Sequence, residues 1–184
     1  MEGIVSAEYV RARWAYSELL SLGHGHYYQG PGVPELKKKA RGKVPFDELG
    51  KAEHYLLVDQ FDRVRGRYFN RYLLGVTAFQ TVEWTRDELG GVRVITFFAE
   101  EIGHPQALVT FSRWLEAAPI KPLNQWHARY AAYDRRAHPT EGMALTVGHH
   151  LGFPFLLDGY HRAVQFWSED EPEARLKVYI PADT

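Results

Sequence analysis

The chain contains no cysteine. Disulfides, thiolate nucleophiles and cysteine-based metal sites all need a thiol, so all three are excluded. That usage fits a cytoplasmic protein. No stretch approaches the roughly 20 apolar residues that a membrane-spanning helix needs, so no membrane is expected among the partners. The opening residues, Met1-Glu2-Gly3-Ile4, carry neither the basic nor the apolar segment of a secretory signal. An excess of charge of one sign is also missing. The formal net charge is −1, so no global field draws the chain to a polyanion, and any anion binding must come from a local patch. Internal repeats and low-complexity tracts are absent.

What is present is ordinary in bulk. The 184 residues are 45% apolar and 24% charged, which suits one domain with a proper core. Aromatic residues make up 14% of the chain, five of them Trp, and most are expected in the core. The patterns predict a single domain over 1–184, divided into a mainly helical extension (1–75) and an α+β core (76–184). Ser6 can cap a helix running to Leu22, with Val10, Trp14, Ser17 or Glu18, and Leu19 at helical spacing. A glycine-rich loop, Gly23 to Gly32, interrupts it, and a basic run follows at Lys37-Lys38-Lys39, Arg41 and Lys43. Leu57, Phe61, Val64, Tyr68 and Tyr72 predict a mainly helical stretch from Asp47 to Leu73.

Two strands, Val76 to Thr85 and Val92 to Phe98, read as a hairpin across Glu88-Leu89-Gly90-Gly91. Helices are expected over Gln106 to Ala117 and Leu123 to Arg136. The last third predicts a strand over Met143 to Val147, a turn at Gly148 to Gly152, and a strand over Phe153 to Leu157. A helix from Tyr160 to Ser168 and a strand from Arg175 to Ile180 follow. The fold class is therefore α+β, a small mixed sheet with packed helices.

The most specific local feature is the abrupt end of the apolar run Phe153-Pro154-Phe155-Leu156-Leu157 at Asp158-Gly159-Tyr160-His161-Arg162. Gly159 permits a sharp turn and close approach of a ligand. Asp158 or Gly159 is placed to cap the following helix. The N–H groups at a helix start suit phosphate. His161 adds a titratable donor and Arg162 a planar, bidentate cation. The alternative reading of the same residues is a capped helix whose Arg162 pairs with a carboxylate.

The segment from Pro139 to Pro181 resembles the ParB/sulfiredoxin-like fold family. The resemblance rests on a helix, a strand, a second strand and then Gly159-Tyr160-His161-Arg162, which is similar to the family's Gly-x-x-Arg box and to its His-Arg pair. It covers the C-terminal third of the chain. It implies a box that begins a helix and grips nucleotide phosphates, in a family that includes CTP-binding partition proteins, sulfinic acid reductases, nucleotide-dependent kinases and nucleases. The reductase reaction needs a catalytic cysteine, which this chain lacks. Tyr160 and His161 stand where partition proteins carry Glu-Arg, and no helix-turn-helix pattern follows the box up to Thr184.

Three other groupings are candidates. His24, His26, His149, His150 and His161 supply imidazoles, but no carboxylate or second histidine stands at a diagnostic metal-binding offset. No resident metal site is predicted, and His24 and His26 are left as polar loop residues or phosphate donors. Arg63, Arg67 and Arg71 fall at i, i+4 and i+8 beside Tyr68 and Tyr72, a stripe suited either to nucleic acid or to pairing with Asp59 and Asp62. Among the carboxylates, Glu100, Glu101, Asp134, Glu141 and Asp158, the last is nearest the turn.

The expected function is binding of a nucleotide or another phosphorylated small molecule, extending to phosphotransfer or nucleotide hydrolysis. Gly159, Tyr160, His161 and Arg162 would hold phosphate. Asp158, His161 and Arg162 would act on it, with a nucleoside di- or triphosphate and Mg2+ as the implied cofactors. Two alternatives are a nucleic-acid-binding module using Arg63, Arg67, Arg71 and Tyr68, and a metal-dependent nuclease of the ParB-like type.

Overall fold

The computed structural model describes residues 3–21, 24–94, 110–117, 145–150, 153–168 and 173–182. The fold is α+β and divides into two compact units. One is made chiefly of Ile4–Phe79 and the other chiefly of Gln80–Arg135 and Met143–Pro181. No described helix is long and apolar enough to cross a membrane.

In the first unit a short strand, β1 (Gly3–Ser6), leads into α1 (Ala7–Glu18), and Ser6 caps α1 by accepting the Tyr9 N–H at 3.1 Å. Helix α1 buries Val10, Trp14, Ala15 and Tyr16, which point to different sides, so it is packed around most of its circumference. The basic run folds as α2 (Val33–Arg41), opened by Gly32 in the left-handed region (φ 81°). Val33, Leu36 and Ala40 point inward.

The stretch expected as one helix from Asp47 is instead a 3-10 turn at Phe46–Glu48, then α3 (Lys51–Val64) and α4 (Gly66–Leu73). Arg65 leaves helical geometry (φ −122°, ψ −10°), and Gly66, a residue with low helix preference, begins the new segment. Trp14 packs on Phe61 and Phe69, and Phe69 on Phe61 and Phe79, with ring centroids 5.2 to 6.3 Å apart.

Tyr16 is fully buried and its hydroxyl donates to the Val44 carbonyl at 2.9 Å. Burial, helped by the charge of Glu53, pushes the phenol up to about 12. The unfolded chain releases this proton near pH 10 and the folded chain only near pH 12. Stability therefore falls as pH rises through that window, by on the order of 2–3 kcal/mol. Urea denaturation of Tyr16→Phe across pH 9 to 12 should show a flatter decline than wild type, and parallel profiles would refute the assignment. Burial also opposes the charge on Glu53 itself, but Lys39, the Gly50 amide and His54 together hold that carboxyl below its ordinary range.

The second unit holds β2 (Ala78–Trp84, from Gln80 onward), α5 (Arg86–Gly90), α6 (Phe111–Ala117), β3 (Leu145–His150), β4 (Phe153–Leu156), α7 (Tyr160–Ser168) and β5 (Leu176–Pro181). Its strands run in the order β2-β5-β3-β4. Strands β3 and β4 are antiparallel, with His150 opposite Phe153 and Val147 opposite Leu156. Strands β3 and β5 are parallel, with Leu145 opposite Val178, so the sheet is mixed. Gly148, His149 and His150 are thus strand residues and not the expected turn, because each has a partner on β4.

Glu88–Gly90, expected in the turn of a hairpin, lie in a helix. Thr85 and Glu88 make a reciprocal capping box that starts α5. The Thr85 hydroxyl accepts the Glu88 N–H at 3.2 Å, and the Glu88 carboxylate accepts the Thr85 N–H at 2.7 Å. Those Thr85 bonds, together with Arg175, hold the Glu88 carboxyl below its usual range against the opposing effect of burial.

Arg93, expected in a strand, makes isolated bridges to Thr110 and Phe155. Its N–H donates to Pro154 O at 3.0 Å and its carbonyl accepts from Leu156 N–H at 2.9 Å, so it lies along β4. The helix expected from Gln106 begins at Phe111, after Thr110 bridges to Arg93. The expected helix over Leu123 to Arg136 and the strand residues 95–98 lie outside the described residues.

Candidate functional site

Strand β4, at the edge of the sheet, ends with its side chains in the core, where Phe155, Leu156 and Leu157 are all buried. The chain then turns at Gly159, whose φ of 84° is one that a residue with a Cβ adopts only at a cost. The first helical bond of α7 runs from the Ala163 N–H to the Gly159 carbonyl at 2.8 Å. Gly159, not Asp158, is therefore the cap residue, and it has no side chain with which to accept from the first amides. Tyr160 is buried and ties the helix back to the strand, its hydroxyl donating to Leu156 O at 2.9 Å. Trp114 of α6 meets the Tyr160 ring edge-on at 6.2 Å.

Asp158 and Arg162 face each other across this turn. The Arg162 guanidinium, in a residue only 5% exposed, donates to the Asp158 carboxylate at 2.5 Å. The two side chains expected to act separately, one on phosphate and one on Mg2+ or as a cap, are paired with each other. The pair has a physical cause. Arg162 lies in the first turn of α7, where the helix dipole already places a partial positive charge, and burial removes the water that would otherwise screen it. His161 also lies in that first turn, but its side chain is outside the described residues.

No protein-family model, curated protein or solved structure matches the chain. The geometry of the turn is therefore what bears on its chemistry. Arg162 and the helix terminus both bring positive charge to this corner, and Asp158 sets a carboxylate against them.

The other predicted residues are dispersed. Arg63, on α3, pairs with Asp59 at 2.9 Å. Arg67 and Arg71 lie on α4, beyond the break at Arg65, so the three do not form the continuous helical stripe that their spacing suggests. Arg71 lies over the Tyr72 ring at 5.4 Å. Tyr68 is half-buried, edge-on to Trp14 at 6.3 Å and to Tyr72 at 5.3 Å, so its ring belongs to the packing of the unit. Glu100, Glu101, Asp134 and Glu141 lie outside the described residues. Among the described residues no group of three or more His, Asp or Glu side chains could hold a metal ion.

A polar cluster in the first unit has no counterpart among the sequence expectations. Glu18 is buried. It accepts the Tyr28 hydroxyl at 2.6 Å and two Arg65 nitrogens at 2.5 and 3.1 Å, with His24 Nδ1 at 3.7 Å. One signal was available, since Glu18 continues the spacing Val10, Trp14 and so falls on the buried face of α1.

Proposed function

We propose that the second unit binds the phosphate of a nucleotide or another phosphorylated small molecule at the turn Asp158–Arg162, in the manner of the ParB/sulfiredoxin-like proteins. The observation that carries this reading is the placement of buried Arg162 in the positive first turn of α7, beside a left-handed glycine. A cation is least favourable at that end of a helix, and an anion there offsets both the guanidinium and the dipole. The order β3, β4, α7 supports the family reading because it is the order of strands and helix on which the resemblance rests.

In this proposal the amides that open α7 receive phosphate oxygens and Gly159 leaves room for them. Arg162 divides its donors between Asp158 and the ligand. Asp158 would also hold the Mg2+ that accompanies a nucleotide, an ion that would neutralise phosphate charge. Phosphoryl transfer or hydrolysis is the chemistry such a site favours, since both need mainly positioning and charge neutralisation. His161 is the proton donor in that scheme.

Thermal-shift titration with inorganic phosphate, nucleoside monophosphates and triphosphates, with and without Mg2+, tests it. Nucleotide should raise the melting temperature of wild type. Asp158→Asn, which releases Arg162 from its carboxylate, should strengthen Mg2+-free phosphate binding about three- to tenfold. Arg162→Lys should weaken it, because a lysine cannot replace the guanidinium fork. Equal responses in all three proteins would end the proposal.

A further inference from the structure

The glycine-rich loop before α2 is held by an unusual density of bonds for an exposed segment. The Gly25 N–H donates to Ser21 O at 2.8 Å and the Tyr27 N–H to His24 O at 3.0 Å. Lys37 turns its ammonium inward, to the carbonyls of Gly25 at 2.8 Å and Tyr28 at 2.9 Å. Gln29 donates its side-chain amide to His26 O at 2.7 Å and its N–H to buried Gln60 at 3.2 Å. A Cβ on Gly25 would stand 2.6 Å from the Leu19 carbonyl oxygen, so the backbone passes too close for any side chain there. These bonds fix the main chain and leave two side chains in solvent. The His26 and Tyr27 rings touch, with centroids 3.9 Å apart and planes tilted by 40°, and Tyr27 is 59% exposed.

The basic run that follows divides by role. Lys37 holds the loop, and Lys39 pairs with Glu53 at 2.8 Å. Lys38, Arg41 and Lys43 are exposed and have no ion-pair partner among the described residues. Lys43 holds a left-handed backbone (φ 57°), just past the end of α2, a position where glycine is the favoured residue. From His24 to Val44, Glu35 is the single carboxylate beside five lysines and arginines. Helix α2 has nine residues, about 13 Å, and Lys37 in its middle reaches back to Gly25 and Tyr28, so the loop that carries the ring pair lies beside the helix.

We propose that residues 24–43 form a platform for single-stranded nucleic acid. A base stacks on the His26–Tyr27 pair, and the following phosphates are neutralised by Lys38, Arg41 and Lys43. Fixed aromatic rings beside a short row of cations are the two elements of sequence-tolerant strand binding. An anionic membrane fits less well. A surface helix must offer lipid an apolar face, and Val33, Leu36 and Ala40 of α2 are buried in the protein.

Fluorescence anisotropy of the whole chain with labelled oligonucleotides of DNA and RNA, about 12 nucleotides long, at about 50 and 200 mM salt, tests this. Three neutralised phosphates give a slope of about −2 for the logarithm of affinity against the logarithm of salt, so wild type should bind about 20-fold more weakly at the higher salt. Lys38→Gln/Arg41→Gln/Lys43→Gly should flatten that slope without lowering the melting temperature, since each site is exposed and glycine suits position 43. Tyr27→Ala should weaken binding about fivefold or more and leave the slope intact. Absence of oligonucleotide binding at the lower salt, or an unchanged slope in the triple variant, overturns the proposal. So does binding to phosphatidylserine vesicles in place of oligonucleotides.

Discussion

Replacing Glu18 with alanine should cost the first unit about 2–4 kcal/mol, somewhat below the penalty for breaking a fully buried ion pair, because Arg65 is 21% exposed. Three groups lose this acceptor at once. Arg65 is left with its charge, the buried Tyr28 hydroxyl with a proton to donate, and His24 without the carboxylate at 3.7 Å. The loss is a large fraction of the roughly 5–15 kcal/mol that separates most folded domains from the unfolded chain. Glu18→Gln should cost less, because it keeps an acceptor for Tyr28. Urea denaturation followed by far-ultraviolet circular dichroism measures both. A double-mutant cycle with Arg65→Met should return a coupling of about 1.5 kcal/mol or more. A coupling near zero would show that the two side chains do not act as a pair.

Asp158→Ala should be costly in the second unit. Its carboxylate is 22% exposed but its partner's side chain only 6%, so water cannot easily replace what the guanidinium loses. A loss of about 2–4 kcal/mol follows, somewhat below the fully buried case. Asp158→Ala/Arg162→Leu should recover part of it, since the buried charge is then gone as well. If the single variant melts with wild type, the ion pair contributes nothing to stability.

The C-terminal third was legible from sequence because its signals are local and agree. A short apolar run bounded by Asp-Gly gives β4 and the start of α7, and α7 then ends where its pattern stops. The first unit was harder to read. Gly32 and Pro34 look like loop residues, yet proline is tolerated in the first turn of a helix, and Val33, Leu36 and Ala40 already carry α2's inward spacing. At Thr85 the difficulty was of a different kind. Alternating apolar residues favoured a hairpin, while the four-residue box Thr85-Arg86-Asp87-Glu88 fixed a helix start. Gly148-His149-His150 misled through composition, since polar residues after a glycine suggest a turn, but pairing with β4 decides.

At the candidate site, the residues were identifiable and their relation was not. Asp158 and Arg162 are four apart, which is the spacing of a helical ion pair. The helix begins only at Tyr160, so the contact crosses the cap and depends on the bend at Gly159. The Glu18–Arg65 pair joins residues 47 positions apart, and no local pattern announces such a contact.

Arg93 lying along β4 matters for how the protein behaves in a crowded solution. A bare outer strand offers its amides and carbonyls to any passing chain, which is how stacked aggregates begin. Here the outer strand is short, its Pro154 has no N–H to give, and Arg93 occupies Pro154 O and the Leu156 N–H while holding its guanidinium 4.9 Å from the Phe153 ring. One charged residue and one imino acid thus leave fewer open amides and carbonyls on that edge for another copy to pair with.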